Sequence, residues 1–163
     1  MIVTQQAAEN KLQRMALQVA EKNYGQEALL LIGIKENGIH IARHIARYLV
    51  PHFPGKIDVI ALSLNKKMPD GISLSEERNF TGKRIVLVDD VANSGRTMMY
   101  ALKPLLEFYP AQVETLVLVE RTHKHFPVAI NYCGISVSTT PDQNIVVEVE
   151  EGIIKGADFA ANQ

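Results

Sequence analysis

Three near-continuous apolar runs constrain this chain most: Ala28–Ile34, residues 84–89 and residues 113–119. A strand that is apolar without alternation has both faces covered, which happens where helices pack on both sides of a mainly parallel sheet. The intervening segments support this. After a candidate N-cap at Thr4, apolar positions Leu12, Met15, Ala16, Val19 and Ala20 repeat at helical spacing. A second amphipathic helix is expected over 39–48, ended by Pro51 and Pro54, and a third over 95–108. Residues 57–64 read as a strand, and short strands are expected over 130–133 and 145–149. Strands alternating with helices imply βαβ units, in which ligands sit beyond the carboxyl ends of the strands. Lys35, Asp89 and Arg121 each stand at or just after a strand end, so all three are expected to rim one crevice.

Length and charge narrow the classes. The 163 residues suit a single domain over 1–163, without an internal repeat or linker. A net charge of −1 gives no whole-molecule attraction to nucleic acid or anionic lipid. Cys133 is the single cysteine, which excludes an intramolecular disulfide and fits a reducing compartment. The polar Thr4-Gln5-Gln6 and the shortness of every apolar run lead us to expect no signal peptide, no membrane partner and a cytoplasmic address. Residues 65–82 are polar and irregular, carry Lys66, Lys67 and Arg78, and form the candidate flexible lid.

The chemistry is concentrated in Arg84-Ile85-Val86-Leu87-Val88-Asp89-Asp90-Val91-Ala92-Asn93-Ser94-Gly95-Arg96-Thr97. An apolar strand ends in two carboxylates, which accept hydrogen bonds from paired sugar hydroxyls. A short loop then opens a helical pattern, where backbone N–H groups and the helix N-terminus hold a phosphate. Ser94 and Thr97 add hydroxyls, and Gly95 permits close backbone approach. Rival phosphate loops fit poorly: Gly33 and Gly38 have Walker spacing, but Ile39 stands where the lysine belongs. Together these features describe a ribose-phosphate site.

This run resembles the phosphoribosyl-diphosphate (PRPP) motif of type I phosphoribosyltransferases. Leu31-Ile32-Gly33-Ile34-Lys35-Glu36-Asn37-Gly38-Ile39, Leu118-Val119-Glu120-Arg121-Thr122-His123-Lys124-His125-Phe126-Pro127 and Tyr132-Cys133-Gly134-Ile135-Ser136-Val137-Ser138-Thr139-Thr140 resemble one branch of that family. It is the branch of bifunctional pyrimidine-operon regulators and uracil phosphoribosyltransferases. The resemblance implies an α/β, single-domain type I fold: a mainly parallel twisted sheet flanked by helices, with a small hood over about 128–150. It implies that Asp89 and Asp90 are catalytic and hold the ribose hydroxyls. Ala92, Asn93, Ser94, Gly95, Arg96 and Thr97 would hold the 5′-phosphate. Lys35, Glu36, Asn37 and Gly38 would form the diphosphate loop, which in this family often contains a non-proline cis peptide, with Arg121 near the ligand phosphates. Ser138, Thr139, Asn144 and Ile145 would face the base, Glu150 would help hold Mg²⁺, and a homo-oligomer is expected.

Two positions bear on the base. Hypoxanthine-guanine enzymes typically carry a carboxylate three residues after the acidic pair, where this chain has Asn93, which is no base at neutral pH. They also carry a purine-recognising lysine where this chain has Glu120. Uracil is the expected acceptor, giving UMP and diphosphate. The branch's Tyr-Arg-Asp-Asp-Leu signature is replaced by Leu64-Asn65-Lys66-Lys67-Met68-Pro69. A nucleotide-sensing RNA-binding regulator, a transferase for another base and a non-catalytic nucleotide module stay open as alternatives. The pI of about 6.5 and the acidic Glu148-Val149-Glu150-Glu151 disfavour RNA. His40 and His44, four apart on one helix, lack a third ligand and read as surface or structural residues.

Overall fold

The computed structural model describes residues 1–68 and 70–160. Pro69, within the candidate lid, and residues 161–163 lie outside the described residues. The chain runs α1 (Gln5–Lys22), β1 (Ala28–Ile34), α2 (Gly38–Leu49), β2 (Lys56–Ser63), β3 (Ser73–Leu74), β4 (Arg84–Ala92), α3 (Arg96–Ala101) and α4 (Lys103–Leu106). It continues with β5 (Gln112–Arg121), β6 (Tyr132–Val137), β7 (Ile145–Glu150) and β8 (Ile153–Phe159).

The large sheet has the order β3-β2-β1-β4-β5-β6, and every pair is parallel except β2 with the short edge strand β3. The two faces of each central strand feed separate cores. Leu29, Leu31, Val86 and Val88 pack with α1 and α2, whereas Leu30, Ile32, Ile85 and Leu87 pack with Met98, Ala101, Leu105 and Phe80 on the other side. This two-sided burial is why these runs show no alternation. β4 lies between two neighbours, so its carboxyl end opens into the middle of the sheet edge.

β7 and β8 form a separate antiparallel hairpin whose Ile145, Val147, Ile154 and Ala157 are buried against the α1–α2 side. Val3 bridges Ala157, tying the N-terminal residues to the hairpin. Of the segment 128–150 expected as a hood, Tyr132–Val137 instead belongs to the large sheet, paired with β5. Tyr132, at the start of that strand, is buried. Its buried hydroxyl donates to Glu114 Oε1 at 2.7 Å, and burial together with that carboxylate pushes its pKa well above the ordinary phenol. Replacing Tyr132 with Phe leaves the buried Glu114, among the described residues, with the Lys22 ammonium 3.8 Å away. Urea unfolding of Tyr132→Phe is expected to show a loss of about 1–3 kcal/mol, the usual cost of stranding a buried acceptor.

The helix expected over 95–108 is two short helices. Gly95 lies at φ 85°, outside the helix, and Pro104, without an N–H, falls in the first turn of α4. The strand expected over 84–89 runs on to Ala92, carrying both aspartates inside the sheet.

Candidate active site

Asp89 and Asp90 are 2 % and 5 % exposed, so two adjacent carboxylates are held at the end of a central strand with little water. Each is fixed locally: the Asp90 N–H donates to Asp89 Oδ1 and the Val91 N–H to Asp90 Oδ1, both at 2.8 Å. Burial, and then the neighbouring Asp90 charge, raise the Asp89 pKa well above the ordinary carboxylate. Lys66 opposes this. Its ammonium stands 3.4 Å from Asp89 Oδ1 and 3.9 Å from Asp90 Oδ1. Burial pulls the Lys66 pKa down, but the two carboxylates outweigh it and leave the pKa raised.

The loop after β4 turns at Gly95 and is anchored by the segment following β5: the His125 and Phe126 N–H groups donate to Ser94 O at 2.9 and 3.1 Å. A Cβ on Gly95 would lie 3.3 Å from Phe126 O, so the close approach suits glycine. The Arg96 N–H donates to Ser94 Oγ, and its guanidinium lies 5.4 Å from the Phe126 ring and donates to Lys67 O. α3 is only six residues long, so the donors offered here are the loop's own N–H groups and the Ser94 and Thr97 hydroxyls.

These elements enclose a cavity of about 210 Å³. Asp89, Asp90, Ala92, Asn93, Ser94, Gly95, Thr97 and Ile145 line it, joined by Lys66, Met98 and Val147. Sequence reasoning gave Met98 and Val147 no role; alternation from Ile145 along β7 was the available signal for Val147. Asn37 touches the site indirectly, donating from Nδ2 to Asp90 Oδ2 at 3.0 Å. The Lys35–Glu36 peptide is cis. Glu36 and Asn37 border a second groove with His40, Arg43, His44 and Arg47. Gly38 is packed against β4, where a Cβ would stand 2.7 Å from Val88 O.

Other expected residues stand elsewhere. Arg96 does not line the cavity, because its guanidinium is turned to Phe126 and Lys67. Lys35 and Arg121 also fall outside the lining. The buried Arg121 guanidinium is spent on the hood connection, donating to Thr139 Oγ1 at 2.8 Å and to Asn144 Oδ1 and Thr140 O at 3.4 Å. Thr139 and Asn144 are thus partners of Arg121, and Ser138 lies 3.2 Å from Thr122 Oγ1. Glu150 is exposed at the end of β7, opposite Ile153. Glu120 pairs with Lys124 and accepts from Ser136 Oγ. His44 contacts Gly152 O and Arg47. Within the lid candidate, Lys66 lines the cavity and Lys67 O accepts from Arg96, whereas Arg78 pairs with Asp58 and Glu76 and Phe80 is buried in the core.

A family profile described as "Phosphoribosyl transferase domain" matches residues 1–152. The chain belongs to the phosphoribosyl transferase family. Among its relatives, the "Bifunctional protein PyrR" of Thermus aquaticus is 36% identical over 151 residues, covering 86% of this chain and 83% of that protein. The Bacillus subtilis protein of the same name is 29% identical over 162 residues, covering 92% and 90%. Among solved structures, the hypoxanthine phosphoribosyltransferase of Trypanosoma cruzi aligns with a TM-score of 0.79 at 13% identity, over 98% of this chain and 94% of that one. A hypoxanthine-guanine phosphoribosyltransferase of Bacillus anthracis aligns with a TM-score of 0.75 at 19% identity, over 99% and 96%. At such identity these likenesses carry the type I fold of the phosphoribosyltransferases and not the acceptor base.

Proposed function

We propose that this phosphoribosyltransferase moves the 5-phosphoribosyl group of PRPP onto uracil, giving UMP and diphosphate. The observation that carries the choice of base is Asn93. It lines the cavity where a purine enzyme of the family typically places a carboxylate, and both ends of its amide are taken by the Ile145 backbone. It has no capacity to accept a purine-ring proton. Glu120, turned to Lys124 and Ser136, likewise offers no cation to a purine carbonyl. The relatives at 36% identity share a name with one another and not with the purine enzymes.

Each step rests on groups of this chain. Asp89 and Asp90 accept the ribose hydroxyls and orient the sugar over the cavity. The loop from Ala92 to Thr97 holds the 5′-phosphate, and the Lys35–Gly38 turn, joined to Asp90 through Asn37, would receive the diphosphate. As the bond from C1 to diphosphate lengthens, positive charge grows on the ribose ring, and the fixed carboxylates stabilise it without reorganising. The Lys66 ammonium, which lines the cavity beside the two carboxylates, moves to the departing diphosphate. The base nitrogen is held opposite the leaving group by the hood.

The donor set fits Mg²⁺ of the substrate-borne kind. Two adjacent carboxylates face the cavity and already draw one cation, Lys66, and Mg²⁺ commonly takes one or two carboxylates with substrate phosphates rather than a full protein cage. Asp89 and Asp90 would hold it; Glu150, exposed at the end of β7, does not line the cavity. When bound, it neutralises the diphosphate as a leaving group.

The test is nucleotide formation from PRPP and Mg²⁺ with uracil, hypoxanthine, guanine, adenine and orotate. Uracil is expected to exceed hypoxanthine by about 100-fold or more in kcat/KM, the range that polar recognition supplies. Faster formation of IMP or GMP would overturn the assignment.

A further inference from the structure

Asn37 occupies the N-cap position of α2, where an asparagine ordinarily accepts from the helix's own N–H groups, yet its side chain makes no capping bond. Both of its amide hydrogens go elsewhere: one to Asp90 Oδ2 and one to Val147 O, each at 3.0 Å. Asn93 reaches the same strand two residues earlier. Its Nδ2 donates to Ile145 O at 3.1 Å, and its Oδ1 accepts from the Ile145 N–H at 3.0 Å. The side-chain amide of Asn93 therefore pairs with one residue of β7 as a neighbouring strand would. Ile145 and Val147 are two apart, so both face the same side of β7, and Val147 is opposite Ala157, which spends its own N–H and C=O on Val3 and Ile2.

The geometry points to Asn93 and Asn37 as positioning residues that pin the cavity-facing edge of the hood strand to the loop after β4 and to Asp90. The proposal rests on the transferase reading for its consequence, which is that the base is read against an edge of fixed height. Only a group that donates and accepts at once completes the Asn93 pair. Ionised aspartate has no donor for Ile145 O and brings a charge beside it. Protonated aspartate keeps the shape of asparagine and supplies the one donor and one acceptor that the pair uses. Asn93→Asp thus carries its own rescue: the clamp is broken where the carboxyl is ionised and restored as the pH falls through its titration. Asn93→Ala is broken at every pH.

Hydrogen exchange of the Ile145 amide, expressed as protection relative to the unstructured chain at the same pH, reads the clamp without turnover. The wild type is expected to protect this amide at all pH values. Asn93→Ala is expected to lose about tenfold in protection, as removal of one hydrogen bond does. Asn93→Asp is expected to match Asn93→Ala near pH 8 and the wild type near pH 4. With the preferred base, Asn93→Asp is expected to raise the KM for that base about tenfold at pH 8 with a smaller change in kcat, since the hood no longer holds the base at a fixed height. Unchanged protection in Asn93→Ala overturns the clamp. So does an Asn93→Asp profile without pH dependence. A wild type that protects Ile145 but forms no nucleotide instead removes the transferase reading and leaves the clamp standing.

Discussion

Asp89→Asn is expected to lower nucleotide formation by about 10²-fold or more while raising the melting temperature at neutral pH. The loss follows from removing one of two preorganised charges beside the developing ribose cation, where single electrostatic contacts are typically worth about 10²–10³ in rate. The gain follows from the position of the carboxyl. Burial, and then the Asp90 charge, hold the folded Asp89 pKa well above its unfolded value of 3.8. The folded state therefore binds the proton more tightly than the unfolded one. The stability this confers is present in full below pH 3.8 and is lost as the pH rises through the raised folded value. At neutral pH the buried Asp89 carboxyl is a cost that asparagine removes, and the Oδ1 that accepts from the Asp90 N–H is kept. Melting curves of both proteins from pH 3 to pH 8 should diverge as the pH rises. A variant less stable than the wild type at pH 8 would show that Asp89 is held for structure rather than for the reaction.

The second large effect is expected at Gly38. α2 begins so close to β4 that a Cβ at Gly38 would stand 2.7 Å from Val88 O, 2.9 Å from Asp89 Cα and 3.1 Å from Asp89 Oδ1. α2 is as close to β1 at Gly33, whose Cβ would stand 2.4 Å from Ile39 Cα. All but one of these contacts are to backbone, which does not move aside like a side-chain tip. Gly38→Ala is expected to cost about 1–3 kcal/mol in urea unfolding, as overpacking does. It is also expected to cost about 10²-fold in kcat/KM, because the shift is delivered to Asp89 itself and misplacement of about 1 Å is that costly. Wild-type turnover in Gly38→Ala would mean that Asp89 is not held by this packing.

How far the sequence speaks depends on whether a feature is local. The Ala28–Ile34 strand, the acidic pair and the Ser94–Gly95 turn are written in adjacent residues, and the structure carries each of them. The far ends of β4 and β5 run beyond the sequence-based limits because their pairing continues past the carboxylates, as Val91 with Val119 shows. β8 went unread because Lys155 and Gly156 interrupt its alternation. Gly156 is needed there, since a Cβ would stand 2.3 Å from Val3 O. Arg121 ends a strand at the crevice, but its guanidinium turns to Thr139, a partner 18 residues away that no local pattern reveals. Asn37 is the converse case: a residue read as part of a loop stands at the N-cap of α2, and its amide turns to Asp90, 53 residues on.

Calorimetric titration of PRPP into the protein with Mg²⁺ present tests the central claim most directly. A single saturable site is expected in the wild type, lost or weakened at least about tenfold in Asp90→Asn, since a hydrogen bond to a charged acceptor is worth about 1.5–3 kcal/mol. The absence of any PRPP binding by the wild-type protein would contradict the assignment of the Asp89–Thr97 cavity as a phosphoribosyl site.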